Sequence, residues 1–296
     1  MPVSTLQAKI GPVDQVVERI ENASPLDPLV KSVRGIVNAA LKPQKLRDAL
    51  HGVWLGHPLH PVLTDILIGV WSAAAILDLI PGTGPATATL IGTGCAAAVP
   101  TAVTGWADWS RLHPQHQRVG IVHALANITA LGFYSASLVS RARGRRMTGK
   151  GLAFTGMGAM VVGGYLGGHL TFRQGAGANH IADVIDLFPA GWQPLGHLDD
   201  LPDGRPTKRT IDGVDLLVIR RGHHVDVLTN RCSHLSGPLS DGSFSVEGGQ
   251  GCIVCPWHGS TFRLADGAVM HGPATSPQLV FETRVTAGAV EIRLPG

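Results

Sequence analysis

Residues 232–239 read C-S-H-L-S-G-P-L, and residues 255–262 read C-P-W-H-G-S-T-F. The two segments hold two Cys–His pairs, Cys232 with His234 and Cys255 with His258. A stretch of 20 residues separates the inner members of the pairs. Glycine and proline accompany both pairs, as is typical of tight loops. The pattern predicts two short loops that bring two thiolates and two imidazoles to one place.

This donor set suits a mixed-ligand [2Fe–2S] cluster, in which two cysteines bind one iron and two histidines bind the other. Neutral imidazoles reduce the negative charge on their iron, which raises the potential to between about −150 and +300 mV. A zinc site of the Cys3His type, formed by Cys232, His234, Cys252 and Cys255, is the alternative. It leaves His258 and its W-H-G-S loop without a role, so the sequence favours the cluster.

Charge is scarce in the chain and its distribution is uneven. Only 15% of the residues are charged, against about 25% in ordinary soluble domains. The deficit coincides with four apolar runs at about residues 62–80, 87–106, 119–139 and 151–170. The first run would be about 28 Å long as a helix, close to the ~30 Å hydrocarbon core of a bilayer. The sequence predicts a four-helix transmembrane bundle in residues 57–172.

The segments on either side of the apolar runs differ from them. Residues 1–56 have apolar positions at helical spacing, and we expect amphipathic helices that lie on an anionic lipid surface or form a solvated hairpin. Residues 173–190 form a predicted linker. From residue 191 to 296, short β-type runs such as V-D-L-L-V-I-R (214–220) alternate with glycine turns, which indicates a small all-β domain. The chain is therefore a multidomain protein, a helical membrane bundle followed by an all-β domain.

Several histidines lie at the predicted helix ends on the side from which the C-terminal domain emerges, among them His60, His123 and His169. Antiparallel helices would bring His123 and His169 to similar depth, which suits the two axial ligands of a haem b. A structural or proton-relay role is the alternative reading for histidines in membrane helices. The sequence leaves both readings open.

Two family resemblances add to this interpretation. The segments H-P-L-H-P (57–61) and T-G-W-A-D-W (104–109), with His123, resemble a bacterial membrane family, the domain of unknown function 2231, over about residues 50–172. That resemblance implies four helices and no settled activity.

The segments N-R-C-S-H-L-S-G-P-L and C-P-W-H-G-S-T-F-R-L-A-D-G resemble the two cluster-binding loops of the Rieske family, over about residues 192–294. The resemblance implies stacked antiparallel sheets and gives the ligand roles to Cys232, His234, Cys255 and His258. It also gives Ser260 the role of a hydrogen-bond donor to a bridging sulfur.

The chain departs from the respiratory Rieske proteins at two points. It has no cysteine for the disulfide that joins their loops, because Ser236, Gly237 and Trp257 stand at the corresponding positions. Phe262 replaces a tyrosine whose hydroxyl raises the potential. We therefore expect a ferredoxin-like potential in the lower to middle part of the range.

These features predict a membrane-anchored Rieske protein that passes single electrons at the membrane surface. The expected partners are lipid and an unidentified donor and acceptor, such as a reductase, a quinone or a cytochrome, with a haem or quinone in the bundle as one destination. An oxygenase catalytic subunit is excluded, since only 38 residues follow His258. The net charge of +3, without a basic aromatic patch, excludes nucleic-acid binding.

The alternative function is a redox-sensing or anchoring subunit of a larger complex without turnover of its own. No secretory signal is found and the N-terminus is basic, so we expect the bacterial cell membrane with the Rieske domain in the cytoplasm. The oligomeric state is left open.

Overall fold

The computed structural model describes residues 12–295, so residues 1–11 of the predicted N-terminal segment and Gly296 lie outside the described residues. The chain forms two compact units. The helical unit contains the residues up to Ala40 and Leu63–Gln174. The β unit contains Leu41–Val62 and the chain from Gly175 onward. The predicted segment 1–56 is thus divided, with its second part belonging to the β unit.

Eight α-helices lie in the described residues. In chain order they are α1 (Pro12–Glu21), α2 (Asp27–Ala40), α3 (Gln44–His51), α4 (Leu59–Leu77), α5 (Gly84–Trp109), α6 (Pro114–Ala142), α7 (Arg146–Gly168) and α8 (Val184–Leu187). By length and composition, α4, α5 and α6 can cross a membrane. Helix α7 is not among them, because glycine occupies many of its positions and contributes little apolar surface. Three of the four predicted spans are therefore candidate membrane helices, and the fourth stays a prediction.

The helices α4, α5, α6 and α7 share one apolar core. Its centre is the stack of Trp71 on Tyr134, with ring centroids 4.0 Å apart. The indole Nε1 of Trp71 donates to the carbonyl oxygen of Ile91 at 3.3 Å, so this buried polar atom has a partner. Helix α5 passes close to the ring at Gly94, where a Cβ atom would lie 2.1 Å from Trp71 Nε1. Only glycine permits this approach.

Helices α6 and α7 form a tight antiparallel hairpin. As the residue numbers of the glycines on α7 rise, the numbers of the α6 residues that they face fall. A Cβ atom at Gly149 would meet Arg141 and Ser137, one at Gly156 would meet Phe133 and Tyr134, one at Gly163 would meet Asn127, and one at Gly167 would meet His123. Glycine at these positions lets the two backbones approach closely, as at many helix interfaces in membranes.

The β unit contains ten strands among the described residues, in three antiparallel sheets. The first sheet has the order β1 (Gln193–His197), β10 (Ala289–Arg293), β9 (Glu282–Thr286). The second has β2 (Thr207–Ile211), β3 (Val214–Arg221), β4 (His224–Thr229). The third has β5 (Ser243–Glu247), β6 (Gln250–Val254), β7 (Thr261–Arg263), β8 (Val269–His271).

The middle sheet has an apolar core on each face, which explains why its strands do not alternate with polar residues. In β3, Leu216 and Val218 belong to one core, whereas Leu217 and Ile219 belong to the other. Successive side chains of a strand point to opposite faces, so a strand covered on both faces reads as a continuous apolar run. The second core includes Cys232 and Cys255 and therefore continues into the candidate site.

Candidate metal centre

Two loops carry the four candidate ligands. Loop 1 (residues 230–241) follows β4, and loop 2 (residues 255–260) joins β6 to β7. A backbone hydrogen bond joins the two ends of loop 1, with Leu239 N donating to the carbonyl oxygen of Asn230 at 2.8 Å. Loop 2 closes on itself, with Cys255 N donating to the carbonyl oxygen of Ser260 at 2.8 Å. The structure thus brings the two predicted segments together at one end of the second core.

The two cysteines lie side by side and are buried, with 1% of Cys232 and 3% of Cys255 exposed. Their thiols are hydrogen-bonded to each other. This bond, with the backbone N–H groups of Trp257 and His258, lowers the pKa of the Cys255 thiol to about 7. The same bond and burial raise the pKa of Cys232. The lowered pKa of Cys255 is in the direction that favours a metal ligand, because the thiolate is the form that binds a metal.

The two histidines also meet. The ring centroids of His234 and His258 are 5.1 Å apart, and the ring planes lie at 86° to each other. His234 is buried and His258 is half-buried. Trp257, beside His258, is 48% exposed. The imidazoles therefore lie on the outer side of a site whose sulfurs are inside.

The donor set fits a two-iron cluster, which takes two protein ligands at each iron. Within residues 12–295, no group of three or more His, Cys, Asp or Glu side chains is placed to hold a single metal ion. The fourth cysteine, Cys252, is buried in β6, and its thiol contacts the carbonyl oxygen of Gln250 at 3.6 Å.

Loop 1 approaches loop 2 most closely at Gly237. A Cβ atom at Gly237 would lie 2.9 Å from Cys255 Sγ and 3.1 Å from the ring of Trp257. A side chain at this position would push the Cys255 sulfur away from its place. The glycine therefore keeps the two sulfur-bearing loops in contact.

Ser260, the predicted hydrogen-bond donor, is fully buried at the end of loop 2. Its hydroxyl accepts a hydrogen bond from Ala274 N at 2.9 Å. The hydroxyl proton remains available for an acceptor on the site's side. The segment around residue 274 thereby supports loop 2 from outside.

Sequence reasoning missed Gln278, which holds loop 1. This residue is 3% exposed. Its Nε2 donates to Thr229 Oγ1 at 2.6 Å and to the carbonyl oxygen of Arg231 at 2.5 Å. Its Oε1 accepts from Ser233 N at 3.2 Å. Both neighbours of Cys232 are thus fixed by one side chain, which no local pattern could reveal because 45 residues separate Ser233 from Gln278.

The histidines proposed as haem ligands have protein partners. The Nδ1 of His123 donates to the carbonyl oxygen of Gly163 at 2.8 Å, and Asn127 Nδ2 lies 3.2 Å from its Nε2. The Nε2 of His169 donates to Glu21 Oε1 at 2.6 Å. His60 lies in the first turn of α4 and is half-buried.

Two family models match the chain. The Rieske [2Fe-2S] domain matches residues 191–286, and a predicted membrane protein family, the domain of unknown function 2231, matches residues 56–180. The two matches follow one another along the chain. They agree with the order of a helical region and an all-β domain.

Known relatives are similar to the β unit. The anthranilate 1,2-dioxygenase ferredoxin subunit of Burkholderia cepacia is 32% identical over 105 residues, which cover 36% of this chain and 94% of that subunit. Ferredoxin CarAc of Metapseudomonas resinovorans is 30% identical over 82 residues, which cover 28% of this chain and 73% of that ferredoxin.

A solved structure, the ferredoxin of carbazole 1,9a-dioxygenase from Nocardioides aromaticivorans, is 28% identical and matches 36% of this chain and 100% of its own, with a TM-score of 0.33. The two relatives named above are ferredoxins by name, and this chain covers most of their length. The chain therefore belongs to the Rieske [2Fe–2S] family, and residues 56–180, which precede its Rieske domain, match the predicted membrane protein family 2231.

Proposed function

We propose that this chain is a membrane-anchored electron-transfer protein, in which Cys232 and Cys255 bind one iron and His234 and His258 bind the other. One observation carries the proposal. Two buried thiols are hydrogen-bonded to each other at the same end of the core where two imidazole rings lie 5.1 Å apart. Cysteine and histidine in this number and pairing are the protein ligands of a mixed-ligand cluster.

When bound, such a cluster accepts and returns one electron at a potential between about −150 and +300 mV. The protein contributes a dry, positively polarised environment for the sulfurs. Backbone N–H groups of His234 and Leu235 point to the Cys232 sulfur, and those of Trp257 and His258 point to Cys255. Hydrogen bonds to a charged sulfur favour its charged form. The Ser260 hydroxyl is expected to add one more donor.

We infer that α7 is the fourth membrane span of the helical unit. It runs antiparallel to α6 and shares the core with α4 and α5. Each of the four helices also carries an exposed apolar side chain, such as Ile76, Val99, Ile128 and Val161, which are between 58% and 63% exposed. Lipid would cover such positions. Four spans place both ends of the helical unit on one side of the membrane.

The proposed partners follow from the family and from the half-buried imidazole of His258. One relative named above is the ferredoxin subunit of a dioxygenase by name, and for this chain we propose a reductase as donor and a quinone, cytochrome or oxygenase as acceptor. His258 and Trp257 are the surface through which an electron would leave. His123 and His169 each engage a protein partner, Gly163 and Glu21, through one ring nitrogen. A haem b between these two histidines stays a prediction, which a Soret band in the absorbance spectrum of the full chain tests.

We propose that the Rieske domain faces the cytoplasm. Lysines and arginines near the predicted helix ends are similar in number on the two sides, and the basic N-terminal residues add to the side of the Rieske domain, which favours the cytoplasm for that side. Protease treatment of inverted and right-side-out vesicles decides it. Cleavage of the Rieske domain only in inverted vesicles supports the cytoplasm, and cleavage only in right-side-out vesicles contradicts it.

The function is tested by the absorbance and EPR spectra of the full chain purified in detergent. We expect the rhombic signal of a reduced mixed-ligand cluster and about two irons per chain, together with oxidation of the reduced cluster by a quinone or a cytochrome. A chain without that signal contradicts the site. A chain with the signal that exchanges electrons with no carrier contradicts electron transfer and favours a redox-sensing or anchoring subunit.

A further inference from the structure

We propose that Asp48, on helix α3, is a positioning residue for the cluster site, although it lies far outside the Rieske domain in sequence. The inference rests on the proposed cluster site. Its subject is the α3 segment (residues 44–55), which belongs to the same compact unit as the Rieske strands.

Asp48 binds the last residue of β8 and the residue after it with its two carboxylate oxygens. Oδ1 accepts from Gly272 N at 3.0 Å, and Oδ2 lies 2.9 Å from His271 Nδ1. Gln44 Nε2, one turn earlier in α3, also donates to Oδ1 at 2.8 Å and fixes the carboxylate. The other nitrogen of His271, Nε2, lies 2.9 Å from Glu247 Oε2 at the end of β5. Two carboxylates from distant parts of the chain thus hold this imidazole.

The contact is also closely packed. A Cβ atom at Gly272 would lie 3.1 Å from Val53 Cγ2 and 3.2 Å from His51 Cδ2. His51 is 2% exposed. The chain leaves α3 at Gly52, with φ of +81°, where a Cβ atom would lie 2.3 Å from the carbonyl oxygen of His57. A buried, glycine-dependent junction of this kind is a specific interface rather than a loose contact of a surface helix.

A short path leads from Asp48 to the candidate iron ligands. Gly272 is two residues before Ala274, whose N–H donates to Ser260 Oγ at 2.9 Å. Ser260 in turn closes loop 2, because its carbonyl oxygen accepts from Cys255 N at 2.8 Å. Asp48 therefore fixes one end of a three-residue segment whose other end fixes the serine beside the site.

The contact joins residues that are farther apart than the length of the Burkholderia match. That subunit is matched over 105 residues and 94% of its length, whereas 224 residues separate Asp48 from Gly272. That match therefore cannot include both partners of the contact. The α3 segment leads directly into α4, so the segment before the first candidate membrane helix also helps to shape the cluster site.

The test compares Asp48→Ala and Asp48→Asn in the full chain. Two readouts are the hydrogen exchange of the Gly272 and Ala274 amides and the rate at which the cluster is lost to a chelator. A hydrogen bond to a charged group is strong enough that we expect about tenfold faster exchange and cluster loss in Asp48→Ala. Asp48→Asn keeps an acceptor for Gly272 N, so its exchange should stay closer to that of the wild type.

Two control variants separate positioning from general effects. Lys45→Ala changes an exposed residue on the same helix, and Asp241→Asn removes an exposed negative charge at the last residue of loop 1, away from the candidate ligands. Both should keep the wild-type exchange and release rates. If Asp241→Asn accelerates cluster loss as much as Asp48→Ala does, a charge effect replaces positioning and the proposal is wrong.

The proposal is also overturned if Asp48→Ala releases the cluster at the wild-type rate, even where Gly272 exchanges faster. Should Asp48→Ala fail to fold, His271→Phe serves instead, since it removes the imidazole from Asp48 and leaves Gly272 in place. Faster exchange at Ala274 in that variant supports the proposal, and unchanged exchange contradicts it. A wild-type chain without a cluster spectrum contradicts the proposed function instead, while the exchange readout still tests the contact.

Discussion

Loop 1 and loop 2 contribute the same pair of residue types but are stabilised in different ways. Loop 2 is a short turn whose tip is exposed at Pro256, Trp257 and Gly259. It is closed by its own backbone, with Gly259 N donating to the carbonyl oxygen of Cys255 at 3.1 Å. Loop 1 also has backbone bonds of its own, such as Cys232 N to the carbonyl oxygen of Gly237 at 2.9 Å. It is mostly buried, however, and is held in addition by the Gln278 side chain, which is distant in sequence.

The backbone conformations follow this difference. Loop 2 places glycine at its left-handed position, Gly259 with φ of +79°. Loop 1 holds Ser236 at φ of +63°, which costs a non-glycine residue of order 1–3 kcal/mol and persists only where surrounding contacts fix it. The conformation of loop 2 therefore follows mainly from its own residues, with Ala274 as outside support at Ser260, whereas loop 1 depends more on the rest of the domain.

The largest expected effect, the loss of iron, should be the same for the two loops. Cys232→Ala and Cys255→Ala should each reduce the iron content of the purified chain from about two atoms to almost none, because each removes one of two protein ligands at an iron. Iron analysis and absorbance measure it. Cys252→Ala is the matched control and should keep its iron; a loss equal to that of Cys232→Ala would favour the Cys3His zinc alternative.

Gln278→Met tests how far the stability of loop 1 depends on this one side chain. Methionine fills a similar volume but leaves Ser233 N and the carbonyl oxygen of Arg231 without their partner, and buried unsatisfied groups cost about 1–3 kcal/mol each. We expect a loss of about 3 kcal/mol in the unfolding free energy, read from thermal unfolding followed by cluster absorbance.

Gln193→Met is the control for Gln278→Met. The Gln193 side chain bonds only to the nearby carbonyl oxygen of Ala190, so the change should stay within about 0.5 kcal/mol. Equal effects of the two variants would show that loop 1 does not depend on Gln278.

A pair of glycine variants compares steric fit with backbone strain. Gly259→Ala adds a methyl group with no atom within 4 Å, so its cost is the left-handed conformation alone, about 1–2 kcal/mol. Gly237→Ala would instead place its Cβ 2.9 Å from Cys255 Sγ. We expect Gly259→Ala to leave the EPR line shape unchanged and Gly237→Ala to alter it; identical spectra would contradict the comparison.

The smallest effect concerns the turn after loop 2. The Arg263 guanidinium beside Asp266 lowers the pKa of that carboxyl below its usual value. Because this pKa is lower in the folded state, the ion pair stabilises the fold at pH values above the unfolded-state pKa. That stabilisation is lost as the pH falls through the folded-state pKa. The pair is exposed, so Asp266→Asn should cost about 0.5 kcal/mol at neutral pH and less in acid. A cost that grows in acid would contradict this assignment.

The predictability of each feature depends on how local its cause is. The Cys–His spacing and the glycine turns identified the loops, since both are short-range patterns. The sequence also indicated β3, as a run that is mostly apolar. It did not indicate β2 or β5, because their side chains are mixed and only pairing with neighbouring strands makes them extended. Helix α7 is a different case. Its glycines lower the hydropathy by which a membrane helix is predicted, but they also allow α7 to pack closely on α6.

By itself, the order of residues determined the family, the candidate ligands and three candidate membrane helices, because ligand type, turn chemistry and apolar length are local properties. Only the tertiary structure decided which residues support the site. Gln278 and Asp48 act through hydrogen bonds across 45 and 224 residues. Such bonds form only after folding has brought distant segments together, so the residues that make them carry no distinguishing pattern in the chain.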